Sequence, residues 1–239
     1  MKGVILAGGL GTRLYPLTRA VNKHLLNVWD KPMVYYPIQT LVKAGIRDVM
    51  IVTGGPHAGG FLHVLQNGKD FGIDHLEYAY QENESGIAQA LSLCEDFADG
   101  GSLTVILGDN TTDADILRDV KNFRDGALIF LKKVQDPQRF GVPVFGKNDE
   151  ILKIEEKPKK PASQYAVTGL YIYDNSVFDR IAKIKPSARN ELEITDVNNS
   201  YLKEEKLRWA ELQGYWLDCG TFETLFQANR YWARKYGVK

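Results

Sequence analysis

The chain has 239 residues, 44% of them hydrophobic and 25% charged, with thirty basic side chains against thirty acidic ones. Such a length suits one large α/β domain, and the balanced charge excludes a global field that would gather nucleic acid or anionic lipid, so any anion must be bound locally. No apolar run approaches the ~20 residues needed to cross a bilayer, and the opening run Met1 to Ala7 is cut short by Gly8, Gly9 and Arg13, so a cytoplasmic protein with no membrane and no nucleic-acid partner is expected.

From the N-terminus, short apolar runs alternate with amphipathic stretches. Lys2 to Ala7, Asp48 to Thr53, Leu76 to Tyr80, Leu103 to Leu107 and Ala127 to Lys132 read as strands, being β-branched or aromatic and short. Pro32 to Ala44, Ala58 to Gln66, Gly86 to Phe97 and Ala114 to Phe123 carry apolar residues at helical spacing, with Pro32 at a helix start and Gly45 at its end. This alternation predicts right-handed βαβ units and an α/β, Rossmann-like, mostly parallel sheet flanked by helices. After Gln135 the pattern changes to paired strands, Phe140 to Phe145, Ile151 to Glu155 and Tyr165 to Tyr173, which predict a smaller antiparallel lobe beside the first part. Helical patterns return at Ser176 to Ile184 and Ile194 to Lys203. A strand at Leu207 to Gln213 leads to Tyr215-Trp216-Leu217-Asp218, and a helix from about Thr221 to Lys235 closes the chain. No repeat, low-complexity tract or long linker divides it. A single domain over 1–239 is expected, with parts at about 1–134 and about 135–239. Cys94 and Cys219 belong to no CxxC or Cys/His cluster and read as reduced, apolar packing groups.

The first strand leaves through Gly8-Gly9-Leu10-Gly11-Thr12-Arg13-Leu14. Glycine there permits positive φ and lets backbone amides approach phosphate oxygens, so the loop reads as a phosphate cradle. It lacks the Gly-Lys-Ser/Thr ending of a Walker A loop, and Leu14 stands where a dinucleotide fingerprint needs its third glycine. Arg13 and Lys23 follow as cations suited to a triphosphate, a planar fork and a mobile point charge. Asp109 stands behind Leu103 to Leu107 at the carboxyl end of a parallel strand, where open α/β sheets bind ligands, and Asp218 ends another apolar run. Two carboxylates on separate strands, completed by phosphate oxygens and water, suit Mg²⁺.

Gly8 to Thr18, Asn22-Lys23-His24-Leu25-Leu26 and Asp30 to Pro37 closely resemble the signature of the sugar-phosphate nucleotidyltransferases, in particular the thymidylyltransferases. The likeness continues through Gly108-Asp109-Asn110, Arg139-Phe140-Gly141-Val142, Glu155-Glu156-Lys157-Pro158, Tyr165 to Tyr171, Glu191 to Asn198 and Trp216-Leu217-Asp218, nearly the whole chain. The resemblance implies transfer of a nucleotidyl group from dTTP to glucose 1-phosphate, giving dTDP-glucose and pyrophosphate by an Mg²⁺-dependent in-line displacement. It implies catalytic roles for Arg13, Lys23, Asp109 and Asp218, with the two aspartates holding the metal. Gly8, Gly9, Gly11, Thr12, Arg13, Lys23, Gln81 and Gly86 would bind the nucleotide. Asn110, Gly141, Glu156, Lys157, Val167, Gly169 and Trp216 would bind the sugar phosphate. The first part, about 1–134, then serves the nucleotide, and the second, about 135–239, the sugar phosphate. A homo-oligomer is usual in the family.

Two departures stand out: His24 occupies a position usually held by glutamine, and Asn27 one usually held by proline. The first leaves UTP open beside dTTP, and other hexose 1-phosphates remain alternatives to glucose 1-phosphate. A binding regulator without turnover is a further alternative, although the residues whose loss would mark one are all present. Longer thymidylyltransferases carry an additional C-terminal helical segment that helps build a regulatory site, and the expectation is a short form without it.

Overall fold

In the computed structural model, which describes residues 1–238, the apolar run Lys2–Ala7 lies inside a seven-stranded sheet. Its neighbours are both parallel, Leu103–Leu107 on one side and Asp48–Gly54 on the other, with Val4 opposite both Met50 and Val105. His75–Gln81 extends the parallel arrangement to one edge. Helices cover both faces, which is why these strands are apolar almost throughout instead of alternating. Among the described residues no helix is long and apolar enough to cross a membrane.

Beyond Leu103–Leu107 the sheet continues with Tyr165–Tyr173, which runs antiparallel to it and to Ala127–Lys133, and Leu207–Glu211 pairs parallel to the latter at the other edge. The third of the strands read as an antiparallel group is therefore an interior strand of the large sheet. Its burial explains the difference, since eight of its nine residues are buried and a one-sided hairpin strand has no use for two apolar faces. The small antiparallel lobe is the pair Gly141–Phe145 and Ile151–Glu156. It is fastened to the helix Ile194–Lys203 by Asn199, whose side chain accepts from Ile154 N at 2.9 Å and donates to Ile154 O at 2.9 Å, standing in for a neighbouring strand.

Four helices are shorter than their patterns, and of Ser176 to Ile184 only Val177–Ile181 is helical, because Lys183 N donates to Arg180 O, three residues back, and tightens the last turn. Pro32 lies in a two-residue ribbon with Asn27–Val28, and Met33 N and Val34 N still donate to Leu26 O and His24 O, so helical geometry begins only at Tyr35 and runs to Lys43. The pattern over Gly86 to Phe97 splits into Ile87–Ser92 and Glu95–Ala98, because Cys94 N donates to Leu91 O, three residues back, and closes a tighter turn. The pattern from Ala114 yields a helix only at Leu117–Asn122, where the Asp115 carboxylate accepts from Leu117 N. The closing helix Phe222–Lys235 begins at a Thr221 capping box and packs Ala228 and Trp232 against Val28, Met33 and Tyr36. Both cysteines are buried and free, and burial pushes the Cys94 thiol up to about 12.

Candidate active site

The glycine loop opens at the carboxyl end of Lys2–Ala7, beside the ends of His75–Gln81 and Leu103–Leu107. Gly11 has φ of 68°, and a Cβ on it would come within 2.7 Å of the Lys23 Cβ, so both conformation and space require glycine. A Cβ on Gly8 would lie 2.2 Å from Gln81 Oε1, which lets the Gln81 amide close down on the loop. Thr12–Leu14 forms a single 3₁₀ turn, anchored by buried Leu14, which holds Arg13 at the loop's exit. Together with Lys23, Gly86 and Asp109 these residues surround a cleft of about 410 Å³ that contains every position assigned to the nucleotide.

Gln81 is buried, and its Nε2 donates to Gln89 Oε1 at 2.6 Å and to Gly86 O at 3.4 Å. His24, the departure from the family, lies buried beneath the cleft with Nδ1 2.7 Å from Asn22 Oδ1, the acceptor that fixes the proton on that ring nitrogen. Burial and the neighbouring Lys23 charge, opposed by Asp109, bring its pKa down to about 3, so the ring is neutral at ordinary pH.

A second cleft of about 270 Å³ adjoins the first and is lined by Asn110, Gly141, Glu156, Lys157, Val167, Gly169, Trp216 and Asp218, every position assigned to the sugar phosphate. Asn110 is its buried keystone. The Asn110 Oδ1 accepts from Trp216 Nε1 at 2.6 Å and from Gly169 N at 3.1 Å, while Nδ2 donates to Asp109 Oδ1 at 3.0 Å. Those bonds satisfy the carboxamide oxygen within the protein and set the Trp216 ring as a wall. Glu156 accepts from Thr195 Oγ1 at 2.6 Å, and Lys157, with φ of 44°, is held in the left-handed region that ordinary residues rarely adopt. Arg13, Leu107 and Asp109 line both clefts.

Asp218 ends the short strand Trp216–Asp218, which pairs antiparallel with Asn110–Thr112 and sets Asp218 opposite Asn110, one residue from Asp109. The two carboxylates are in different electrostatic states. Burial would raise Asp109, but the charge of Lys23 and hydrogen bonds from Lys23 and Asn110 outweigh it and hold the carboxyl far below its ordinary value. For Asp218, burial and the nearby Asp109 charge raise the pKa to about 7, against the lowering pull of Arg139, Arg13 and Lys23. Lys23 Nζ sits 2.7 Å from Asp109 Oδ2, so the lysine read as a free phosphate ligand is committed here to the carboxylate.

Among the described residues no three His, Cys, Asp or Glu side chains converge as a ready-made metal cage. The Asp109 and Asp218 pair nevertheless fits a divalent ion that takes most of its ligands from substrate and water, because Asp218 Oδ1 is buried and has no hydrogen-bond partner. A buried carboxylate oxygen left bare is costly, and a cation is the partner it lacks.

Five further charged groups, Glu84, Arg139, Arg189, Glu191 and Glu193, line the clefts without having been singled out from the sequence. Glu84 reaches into the first cleft and accepts a hydrogen bond from Leu10 N, so a carboxylate sits on a loop amide suited to phosphate. Arg139 bridges Asp136 and Asp218 at 2.8 and 2.7 Å. Arg189 contacts Glu156, Glu191 and Glu193, with distances from 2.8 to 3.3 Å. Arg139 opens one of the matched blocks, and Arg189 lies two residues before another, so proximity to those blocks was the available signal.

The family model for nucleotidyl transferases matches residues 2–235. A glucose-1-phosphate thymidylyltransferase of Neisseria gonorrhoeae is 47% identical over 234 residues, covering 95% of this chain and 81% of that protein. One from Mycobacterium tuberculosis is 43% identical over 247 residues, covering 100% and 85%. Among solved structures, one from Bacillus anthracis, described as a glucose-1-phosphate thymidylyltransferase in complex with sucrose, has 49% identity and a TM-score of 0.91 over 97% of this chain and 94% of its own. A UDP-glucose pyrophosphorylase complexed with UDP-glucose has a TM-score of 0.84 over 98% of each chain at 22% identity, a likeness of fold.

Proposed function

The chain belongs to the nucleotidyl transferase family, and from that premise we propose that it transfers the thymidylyl group of dTTP to glucose 1-phosphate, releasing pyrophosphate and giving dTDP-glucose. The junction of the two clefts at Arg13 and Asp109 carries the assignment: two anionic reactants seated side by side bring their phosphates to the same cation and the same acidic pair. An oxygen of the sugar phosphate bonds to the α-phosphorus as the bond to the pyrophosphate oxygen breaks, and no covalent protein intermediate is needed. The protein's task is then positioning and neutralisation of charge.

The loop around Gly8, Gly9, Gly11 and Thr12 receives the triphosphate, and Glu84 gives up the Leu10 amide as it enters. Lys23 exchanges Asp109 for phosphate oxygens, while Arg13 meets the charge that develops at the α-phosphate. Gln81 and Gly86 face the base. Glu156 takes sugar hydroxyls, Lys157 the sugar phosphate, and Gly141, Val167, Gly169 and Trp216 shape the pocket around it, with Asn110 fixing the wall. Enzymes of this kind use a divalent ion; Mg²⁺ on Asp109 and Asp218 would supply neutralisation of the phosphate oxygens. The reaction belongs to the cytoplasm, and the active assembly is a homo-oligomer, which light scattering on the purified chain tests.

Pyrophosphate release should be measured for each of dTTP, UTP, CTP, ATP and GTP against several hexose 1-phosphates, with and without Mg²⁺. The expected result is release that depends on Mg²⁺ and is fastest with dTTP and glucose 1-phosphate. A clear preference for UTP would transfer the assignment to uridylyl transfer, and no release with any pair would leave a sugar-nucleotide-binding regulator.

A further inference from the structure

Asp218 uses its two oxygens differently. Its Oδ2 accepts from Arg139 Nη2 at 2.7 Å, whereas Oδ1 is buried and has no partner. Arg139 is itself held from the other side, where Nη1 donates to Asp136 Oδ2 at 2.8 Å. Its guanidinium carbon also lies 5.1 Å from the centre of the Phe140 ring, and that ring packs edge-on against Trp216 at 5.5 Å. The arginine is thus a planar strut between an acid outside the clefts and the acid that ends Trp216–Asp218. A planar fork holds one acid on each arm in a fixed relative direction, so the bond to Asp218 Oδ2 is aimed by the anchor at Asp136; a single ammonium gives no such fixed direction.

We propose that Arg139 is a positioning residue for the reaction: by tying down Oδ2 it turns Asp218 so that Oδ1 is the oxygen presented to the divalent ion, and Asp136 keeps the guanidinium in that pose. This rests on the functional reading above, which makes Asp218 a metal ligand. Outer partners that orient a metal's ligands typically affect affinity by about 10- to 100-fold when removed.

The test measures Mn²⁺ binding to the whole protein in the presence of dTDP-glucose, by loss of the free-ion EPR signal, together with steady-state kinetics. Arg139→Gln and Arg139→Lys should weaken Mn²⁺ binding and raise the Mg²⁺ concentration for half-maximal activity by about 10-fold or more. Asp136→Asn, which leaves the arginine in place but removes its outer anchor, should shift both by a smaller factor. It also keeps the idea testable if the Arg139 variants do not fold. Unchanged Mn²⁺ binding in a folded Arg139→Gln protein overturns the positioning role. So does a rise in KM for glucose 1-phosphate at unaltered Mg²⁺ dependence, which would make Arg139 a direct phosphate contact. A wild-type protein that neither binds Mn²⁺ with dTDP-glucose nor releases pyrophosphate overturns the underlying functional reading instead.

Discussion

Arg13 lays its guanidinium against Gly220, where a Cβ would come within 2.9 Å of Nη2, and it forms no ion pair among the described residues. A cation held at the junction of two clefts without a carboxylate of its own is preorganised for charge that appears only during reaction. Arg13→Ala should therefore lower turnover by ~10² or more, the scale for loss of such a contact, with little change in thermal stability; a purified variant with wild-type turnover removes Arg13 from the mechanism. Glu84 acts in the opposite sense. It occupies the Leu10 amide and brings negative charge to the first cleft, so on the function proposed above Glu84→Gln should lower KM for dTTP by about 2- to 5-fold, the scale of an exposed charge interaction, without raising turnover. An unchanged or higher KM counts against a competing carboxylate. His24 governs stability. Its pKa is about 3 in the folded protein against 6.5 for a free histidine, so the unfolded chain takes up a proton that the folded chain refuses as pH falls below 6.5. The neutral ring's contribution is complete above 6.5 and is lost progressively towards 3, by about 1.4 kcal/mol per pH unit. Urea unfolding at pH 7.5 and pH 5 should differ by about 2 kcal/mol from this source alone, and His24→Gln should remove that part of the slope.

At the scale of elements, the segment that carries Gly86 is stitched to the second part of the chain, since Ala88 N donates to Leu192 O and Leu192 N to Ser85 O. Gly86 has φ of 103°, and a Cβ there would lie 2.5 Å from Leu192 O, so the stitch closes only around glycine. Gly86→Ala should cost roughly 1–3 kcal/mol in denaturant unfolding, the range for backbone strain of this kind, and should raise KM for the nucleotide as the base end of the cleft shifts. A variant of wild-type stability and KM would show that the segment yields freely. The same elements show what a sequence can reveal. Strands such as Lys2–Ala7 and Leu103–Leu107 were legible because apolar runs buried on both faces leave a plain signal. Pro32 misled because Met33 N and Val34 N donate to Leu26 O and His24 O, which ties the turn before Tyr35 back to an earlier segment and delays the helix, a constraint without a local signature. The loop glycines, Arg13 and the two aspartates were legible because their types and order are themselves the motif. Glu84 and Arg139 were not, because each gains meaning from a partner far along the chain, at a separation of 74 residues for Leu10 and 79 for Asp218.

On the scale of the whole molecule, the order of strands argues against two parts that fold independently. The sheet runs Leu207–Glu211, Ala127–Lys133, Tyr165–Tyr173, Leu103–Leu107 and then Lys2–Ala7, so a strand from the second part is wedged between two strands of the first. Without it, Leu103–Leu107 and Ala127–Lys133 would each expose an unpaired apolar edge, and the buried faces of Leu170 and Ile172 would be missing from the core beneath them. The division at about residue 134 therefore marks no folding boundary. Chemical denaturation followed by far-UV circular dichroism and by tryptophan fluorescence should give coincident single transitions, although three of the four tryptophans, all but Trp29, lie beyond residue 134. A fragment of residues 1–134 should be unfolded or aggregated when expressed alone. Two resolved transitions, or a soluble fragment with cooperative unfolding, would show that the interior strand is docked late onto an independently stable nucleotide-binding half.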